Sequence, residues 1–156
     1  MAMPAPISAE VSLRVPFHHV DPLEVVWHGH YVEYFEQARA ALLDQIDYNY
    51  AQMRDSGYAW PVIELFIRYP QPMRYGQRAL VRAALREWKS RLKIDYTVQD
   101  AGTGRRLTTG YTVQVAVSLT TGEMCFESPP VLYRKLGLPL RRSGRPVPPA
   151  SDPGRP

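Results

Sequence analysis

The chain has 156 residues, 45% of them apolar, which gives room for one compact domain with a real core but not comfortably for two. Its single cysteine, Cys125, excludes an internal disulfide and a cysteine-based zinc site, and fits a reducing cytoplasm. Nowhere do about 18 apolar residues follow one another, and no basic segment precedes an apolar run at the N-terminus, so neither export nor a membrane span is expected.

The net charge of +4 and pI near 9.3 invite a nucleic-acid reading until the charges are located. Residues 134–156 hold six Lys or Arg against one acid, leaving 13 against 14 in residues 1–133. With no recognised module beside that tail, nucleic-acid binding is not expected. Six of the 15 prolines also lie between Pro139 and Pro156, with Arg141, Arg142 and Arg145 among them. The organisation expected is therefore a flexible N-terminus over 1–9, one domain over 10–138, and a disordered Pro/Arg-rich tail over 139–156. The tail is either simply solvated or holds an acidic partner.

Val11, Leu13, Val15 and Phe17 alternate with Ser12, Arg14 and Pro16, the period of a half-buried strand, with Pro16 suited to an edge or strand end. From Tyr31 the period changes. Tyr31, Tyr34, Phe35, Ala38, Leu42 and Ile46 fall three and four apart while Glu33, Glu36, Gln37 and Asp44 take the other face, predicting an amphipathic helix of roughly five turns. Gly57 and Pro61 mark a loop. Strand patterns follow in Ile63, Leu65, Ile67 and Tyr69, in Ala79, Val81, Ala83 and Leu85, and in Leu92, Ile94, Tyr96 and Val98. Asp100 to Gly104 reads as a turn, and Leu107 through Leu119 as one further alternating strand. Strands joined by short turns make an antiparallel sheet, and one long helix leaves one packing solution: an α+β domain whose sheet curls around the helix. The small residues Ala79, Val81 and Ala83 let a bulky helix stripe lie close.

Chemistry concentrates in His18-His-Val-Asp-Pro-Leu-Glu-Val-Val-Trp-His-Gly-His-Tyr31. A helix starting near Gly29 presents unpaired N–H groups and a positive dipole end, which stabilise an oxyanion, and Asp21 lies a few residues upstream on a loop that can reach the same point. A carboxylate with an oxyanion hole is a minimal hydrolytic site for an activated acyl compound whose thiolate leaves readily. Asp21 before Pro22 is equally a good turn residue. His18, His19, His28 and His30 lack a partner cluster with ligand spacing, so no metal is expected, and no cofactor fingerprint, P-loop or serine-nucleophile elbow is present. Trp27 and Tyr31 read as walls of a pocket or core.

At these residues the chain resembles a known family. Phe17-His-His-Val-Asp21-Pro-Leu-Glu-Val-Val-Trp-His28-Gly-His-Tyr31-Val-Glu-Tyr-Phe-Glu-Gln-Ala-Arg39 resembles the signature of 4-hydroxybenzoyl-CoA-type acyl-CoA thioesterases, and Tyr69-Pro-Gln-Pro-Met-Arg-Tyr-Gly76 resembles the strand-and-turn segment those proteins carry after their helix. The likeness covers roughly residues 10–135. It implies a hotdog fold, a curved antiparallel sheet around one long central helix, assembled as a homodimer or homotetramer with sites at the subunit boundary. It implies Asp21 as the catalytic carboxylate, nucleophile or general base, with His28 as a helper and the backbone N–H groups of His28 and Gly29 as the oxyanion hole. Three positions depart from the pattern. His19 replaces the first acid of D-x-D, Glu24 replaces a Gly, and Phe17 replaces a Tyr found in one branch. Glu24 is a second acid or base, or a solvated loop residue.

Residues 68–93 hold eight Lys or Arg against Glu87 alone, whereas residues 21–64 hold eight acids against Arg39 and Arg54. Arg78, Arg82 and Arg86 on an outward strand face can receive the phosphates of coenzyme A or the acidic surface of an acyl carrier protein; equally, they protect an edge from aggregation. The function expected is hydrolysis of an acyl-CoA or acyl carrier protein thioester. Its rivals are a non-catalytic acyl-binding or scaffolding subunit of the same shape and a hotdog dehydratase.

Overall fold

Helix α1 (Tyr31–Gln45) turns its buried stripe, Tyr31, Tyr34, Phe35, Ala38 and Leu42, onto β1 (Ser8–Arg14), β4 (Arg78–Glu87) and β5 (Leu92–Asp100). These positions come from a computed structural model that describes residues 7–140. The expected tail, beyond Pro139 and Leu140, lies outside the described residues, as do the first six. Five strands, adding β3 (Val62–Arg68) and β6 (Arg106–Gln114), form one sheet in the order β1-β4-β5-β6-β3, every neighbouring pair antiparallel. The sheet wraps α1, the hotdog arrangement. A two-stranded ribbon, β2 (Tyr58–Ala59) with β7 (Val117–Ser118), and two short helices, α2 (Tyr50–Asp55) and α3 (Pro130–Leu136), complete the described chain.

The core is built as the alternation dictates. Ala79, Val81 and Ala83 are fully buried and their small side chains let α1 approach β4, while each large side chain buried above them contributes about 1.5–3 kcal/mol. Phe35 stacks on Tyr96 with ring centroids 4.4 Å apart and planes 5° from parallel. On the next strand Gly110 makes room for the same ring. A Cβ there would stand 2.4 Å from the Phe66 carbonyl oxygen and 2.6 Å from the Phe35 ring.

Four boundaries differ from the sequence reading, each for a local reason. The first strand lies earlier, Ser8–Arg14, and pairs with β4 along its whole length, so Ser8 and Ala9 belong to the sheet; Pro16, without an N–H, precedes a 3₁₀ turn at Phe17–His19 that leaves Phe17 exposed. Helix α1 is 15 residues, just over four turns, because the chain swings left-handed at Asp47, φ 53°. The strand expected to run from Leu107 to Leu119 divides. β6 stops at Gln114, whose buried amide donates to the Trp60 carbonyl at 2.7 Å, and β7 pairs instead with β2. Helices α2 and α3 carry too short a pattern to read; Asn49 starts α2 through a capping box with Gln52.

β3 lies at the sheet edge and exposes apolar side chains: Val62, Ile63, Leu65 and Phe66 are all at least two-fifths exposed.

Gly110→Ala is expected to destabilise the protein by about 1–3 kcal/mol through overpacking against Phe35, read as a lower urea midpoint at unchanged slope.

Candidate active site

The stretch from Val20 to Val26 is a small hairpin with Asp21 at its turn. Val20 bridges Val26, Asp21 N–H donates to the Val25 carbonyl (2.9 Å) and Glu24 N–H to the Asp21 carbonyl (2.8 Å). The Asp21 Oδ1 accepts the Leu23 N–H at 2.8 Å, which fixes the carboxylate by its own turn; Oδ2 has no partner among the described residues. The turn role of Asp21 is thus seen directly: it closes the turn with one oxygen and leaves the other without a partner among the described residues. Glu24 stands at φ 65°, in the left-handed region that favours glycine. Its side chain is solvent-exposed, like that of Leu23 at the hairpin tip, 78% exposed.

Two backbone hydrogen bonds seat this hairpin, and a third ties the chain before it to the later segment. Trp27 N–H donates to the His19 carbonyl (2.9 Å), joining its base, and Val26 N–H donates to the Met73 carbonyl (2.8 Å), while Gly76 N–H donates to the Val15 carbonyl (2.9 Å). The two segments that carry the family resemblance, far apart in sequence, thus hold each other in place. Gly76, at φ 78°, supplies the turn the second one needs.

The chain passes from the hairpin base into a 3₁₀ turn at His28–His30 and then into α1, and neither start carries a side-chain cap. Such a start leaves N–H groups and a positive dipole end for an anion. A Cβ on Gly29 would fall 2.2–2.8 Å from three ring atoms of Trp27, so a larger residue there requires the half-exposed indole to move. Trp27 is 47% exposed and edge-on to His30. The His28 side chain is exposed, and its carbonyl accepts the Tyr69 hydroxyl at 2.7 Å. Tyr31 is buried in the core, edge-on to both Tyr34 and Tyr69, and burial pushes its phenol pKa up.

Behind the hairpin the fold assembles a cluster the spacing did not show. His19 and His30 stack with centroids 4.0 Å apart and planes 9° from parallel; His19 Nδ1 lies 2.7 Å from the Tyr34 hydroxyl; Glu33 reaches His30 Nδ1 at 3.2 Å and His19 Nε2 at 3.7 Å. Burial and the neighbouring His30 lower the His19 pKa, against the opposing pull of Glu33. Burial pushes the Tyr34 phenol pKa well up. One nitrogen or oxygen from each of His19, His30 and Glu33 lies within 4.8 Å of the others. Imidazole lone pairs lie in the ring plane, and the two planes are nearly parallel, so a ring would have to turn for both imidazoles to face one ion. His19, at the position where the resemblance implies an acid, is held by Tyr34 and Glu33.

Arg78, Arg82 and Arg86 are exposed together on β4 as the alternation requires. Arg86 Nε is 3.0 Å from Asp95 Oδ2, Arg82 donates to Ser8 Oγ at 3.2 Å, and Arg78 has no side-chain partner among the described residues. Two surface clefts, about 470 Å³ along Arg86–Arg91 and about 310 Å³ around Phe66, Asp95, Arg106 and Tyr111, include neither Asp21 nor His28 in their walls. Tyr69, Tyr34 and Glu33 are the site neighbours that sequence reasoning did not single out. Tyr69 was legible as the end of a strand pattern and the first residue of the second motif, and Tyr34 and Glu33 as residues of the two faces of the helix.

The thioesterase-like superfamily matches residues 15–149. A candidate esterase of Synechocystis is 34% identical over 134 residues, covering 85% of this chain and 80% of the relative. A candidate acyl-CoA thioesterase of Bacillus subtilis is 28% identical over 76 residues, 49% of this chain and 55% of the relative. Among solved structures, a Synechocystis 1,4-dihydroxy-2-naphthoyl-CoA thioesterase superposes with a TM-score of 0.74 at 18% identity, over 83% of this chain and 96% of that one, a likeness of fold. With the curved sheet around α1, these matches make the chain a member of the thioesterase-like superfamily and a thioester hydrolase.

Proposed function

We propose that the chain hydrolyses an acyl-CoA thioester to the free acid and thiol, with Asp21 as the reacting carboxylate and the N–H groups at His28 and Gly29 as the oxyanion hole. The observation that carries this reading is the joint between the Asp21 hairpin and an uncapped helix start: the Trp27–His19 bond ties a carboxylate oxygen without a partner and a cluster of backbone donors into one short unit. The acyl carbonyl oxygen is directed at the donors. Asp21 then attacks the carbonyl carbon or takes a proton from a water that does so, and the C–S bond breaks with a thiolate as leaving group. His28, exposed beside Gly29, orients water or substrate. Coenzyme A is favoured over an acyl carrier protein by the resemblance to the Bacillus subtilis protein. Arg78, of the three outward arginines, is the one with its guanidinium uncommitted. The free Cys125 and the absence, among the described residues, of a helix long and apolar enough to cross a membrane are compatible with work in the cytoplasm.

The site is completed by a second copy of the chain in this reading. Leu23 at the hairpin tip and Phe17 before it are left uncovered, and β3 offers an unpaired edge flanked by Ile63, Leu65 and Phe66. Pairing of that edge with its counterpart satisfies the free backbone groups and buries the apolar side chains.

Asp21→Asn is expected to lower thiol release from a panel of aliphatic and aromatic acyl-CoAs by at least about 100-fold without a change in melting temperature, in line with loss of a group acting in the transition state. Retained hydrolysis would remove Asp21 from the chemistry; acyl-CoA binding by wild type with no turnover would point to an acyl-binding subunit instead. Ile63→Lys with Leu65→Lys is expected to give a folded monomer by light scattering, with hydrolysis lost; an active monomer would contradict the shared site.

A further inference from the structure

We infer that Tyr69 is a positioning residue, whose hydroxyl sets the direction of the Gly29 N–H that polarises the substrate carbonyl; this rests on the oxyanion hole proposed above. Tyr69 follows the last residue of β3 directly, and its hydroxyl donates to the His28 carbonyl at 2.7 Å, across 41 residues of chain. The peptide between His28 and Gly29 is a rigid trans plane, so its C=O and N–H point in opposite directions. Holding the carbonyl toward Tyr69 therefore aims the Gly29 N–H away from Tyr69.

The Trp27 ring packs beside the Gly29 Cα, where a Cβ would fall 2.2–2.8 Å from three of its atoms. The Tyr69 ring is itself fixed edge-on against buried Tyr31, centroids 5.0 Å apart, and edge-on to His28 at 6.4 Å. Burial raises the Tyr69 pKa, so the phenol remains a donor through the neutral range. A donor of this kind is useful because an oxyanion hole works by being aimed before the reaction, with no reorganisation as charge develops. Without the hydroxyl, the His28 carbonyl loses this partner and the peptide is free to rotate toward water.

Tyr69 reaches no reacting atom in this scheme, so its loss should slow the chemical step and leave binding nearly intact. Tyr69→Phe keeps the ring and its packing on Tyr31 and removes only the donor. With acetyl-, hexanoyl-, palmitoyl- and benzoyl-CoA as probes, the expected result is a kcat lower by roughly tenfold on the best substrate, KM within about twofold, and an unchanged melting temperature; removing an oxyanion donor outright typically costs about 100- to 1,000-fold.

A direct readout uses the best of those substrates labelled with ¹³C at the carbonyl and bound to the Asp21→Asn protein. Its carbonyl stretch in difference infrared spectra should move to lower frequency than in water, and this shift should shrink in the Asp21→Asn, Tyr69→Phe double variant. A wild-type kcat in Tyr69→Phe with an equal carbonyl shift overturns the role of Tyr69 while leaving hydrolysis by Asp21 standing, as does a change confined to KM. A wild type that hydrolyses none of the four probes, or an Asp21→Asn protein as active as wild type, overturns the underlying reading and this one with it.

Discussion

The contact of the Phe35 ring with Gly110 and Tyr96 sets how deeply α1 sits in the curve of the sheet. A helix that lies this close must be met by small residues, and β4 answers with Ala79, Val81 and Ala83. The depth of α1 then fixes where its first residues emerge. Because the three-residue turn at His28–His30 leads directly into α1, the placement of the proposed oxyanion donors is inherited from the packing of the core, with no separate loop to adjust it.

The second constraint is the mutual docking of the two motif segments. Residues 69–77 run beneath residues 15–28 and contribute a carbonyl at Met73, an N–H at Gly76 and a hydroxyl at Tyr69, each paired with a backbone group of the upper segment. The site is thus held mostly through main-chain hydrogen bonds, which tolerate side-chain substitution. That tolerance accounts for the two departures at the heart of the motif. Glu24 accepts a left-handed backbone because the hairpin around it is fixed at both ends, and its side chain points to solvent at no further cost. His19 replaces an acid, and the fold gives it other partners in the Tyr34 hydroxyl, the His30 ring and Glu33.

The proposed assembly and the proposed chemistry meet at β3. The strand whose free edge would receive a second copy ends one residue before Tyr69, which holds the His28 carbonyl. An isolated chain would keep the hairpin and the helix start but leave β3 unpaired on its outer side.

Periodicity and composition by themselves determined the α+β class, the long helix from Tyr31, the sheet strands and the crowding of titratable residues between the first strand and the helix, because alternation and three-and-four spacing report which face of an element is buried. The resemblance added the closed hotdog shape and the role expected of Asp21. Only the tertiary structure decided the rest. Proline chemistry after Arg14, the left-handed residue at Asp47 and the departure of the chain at Gln114 set element ends that pattern alone had misplaced. The His19–Tyr34 contact, the room made for Phe35 at Gly110, and the Tyr69–His28 bond all join residues whose separation in sequence carries no period, and such contacts exist only once the chain has folded around the helix.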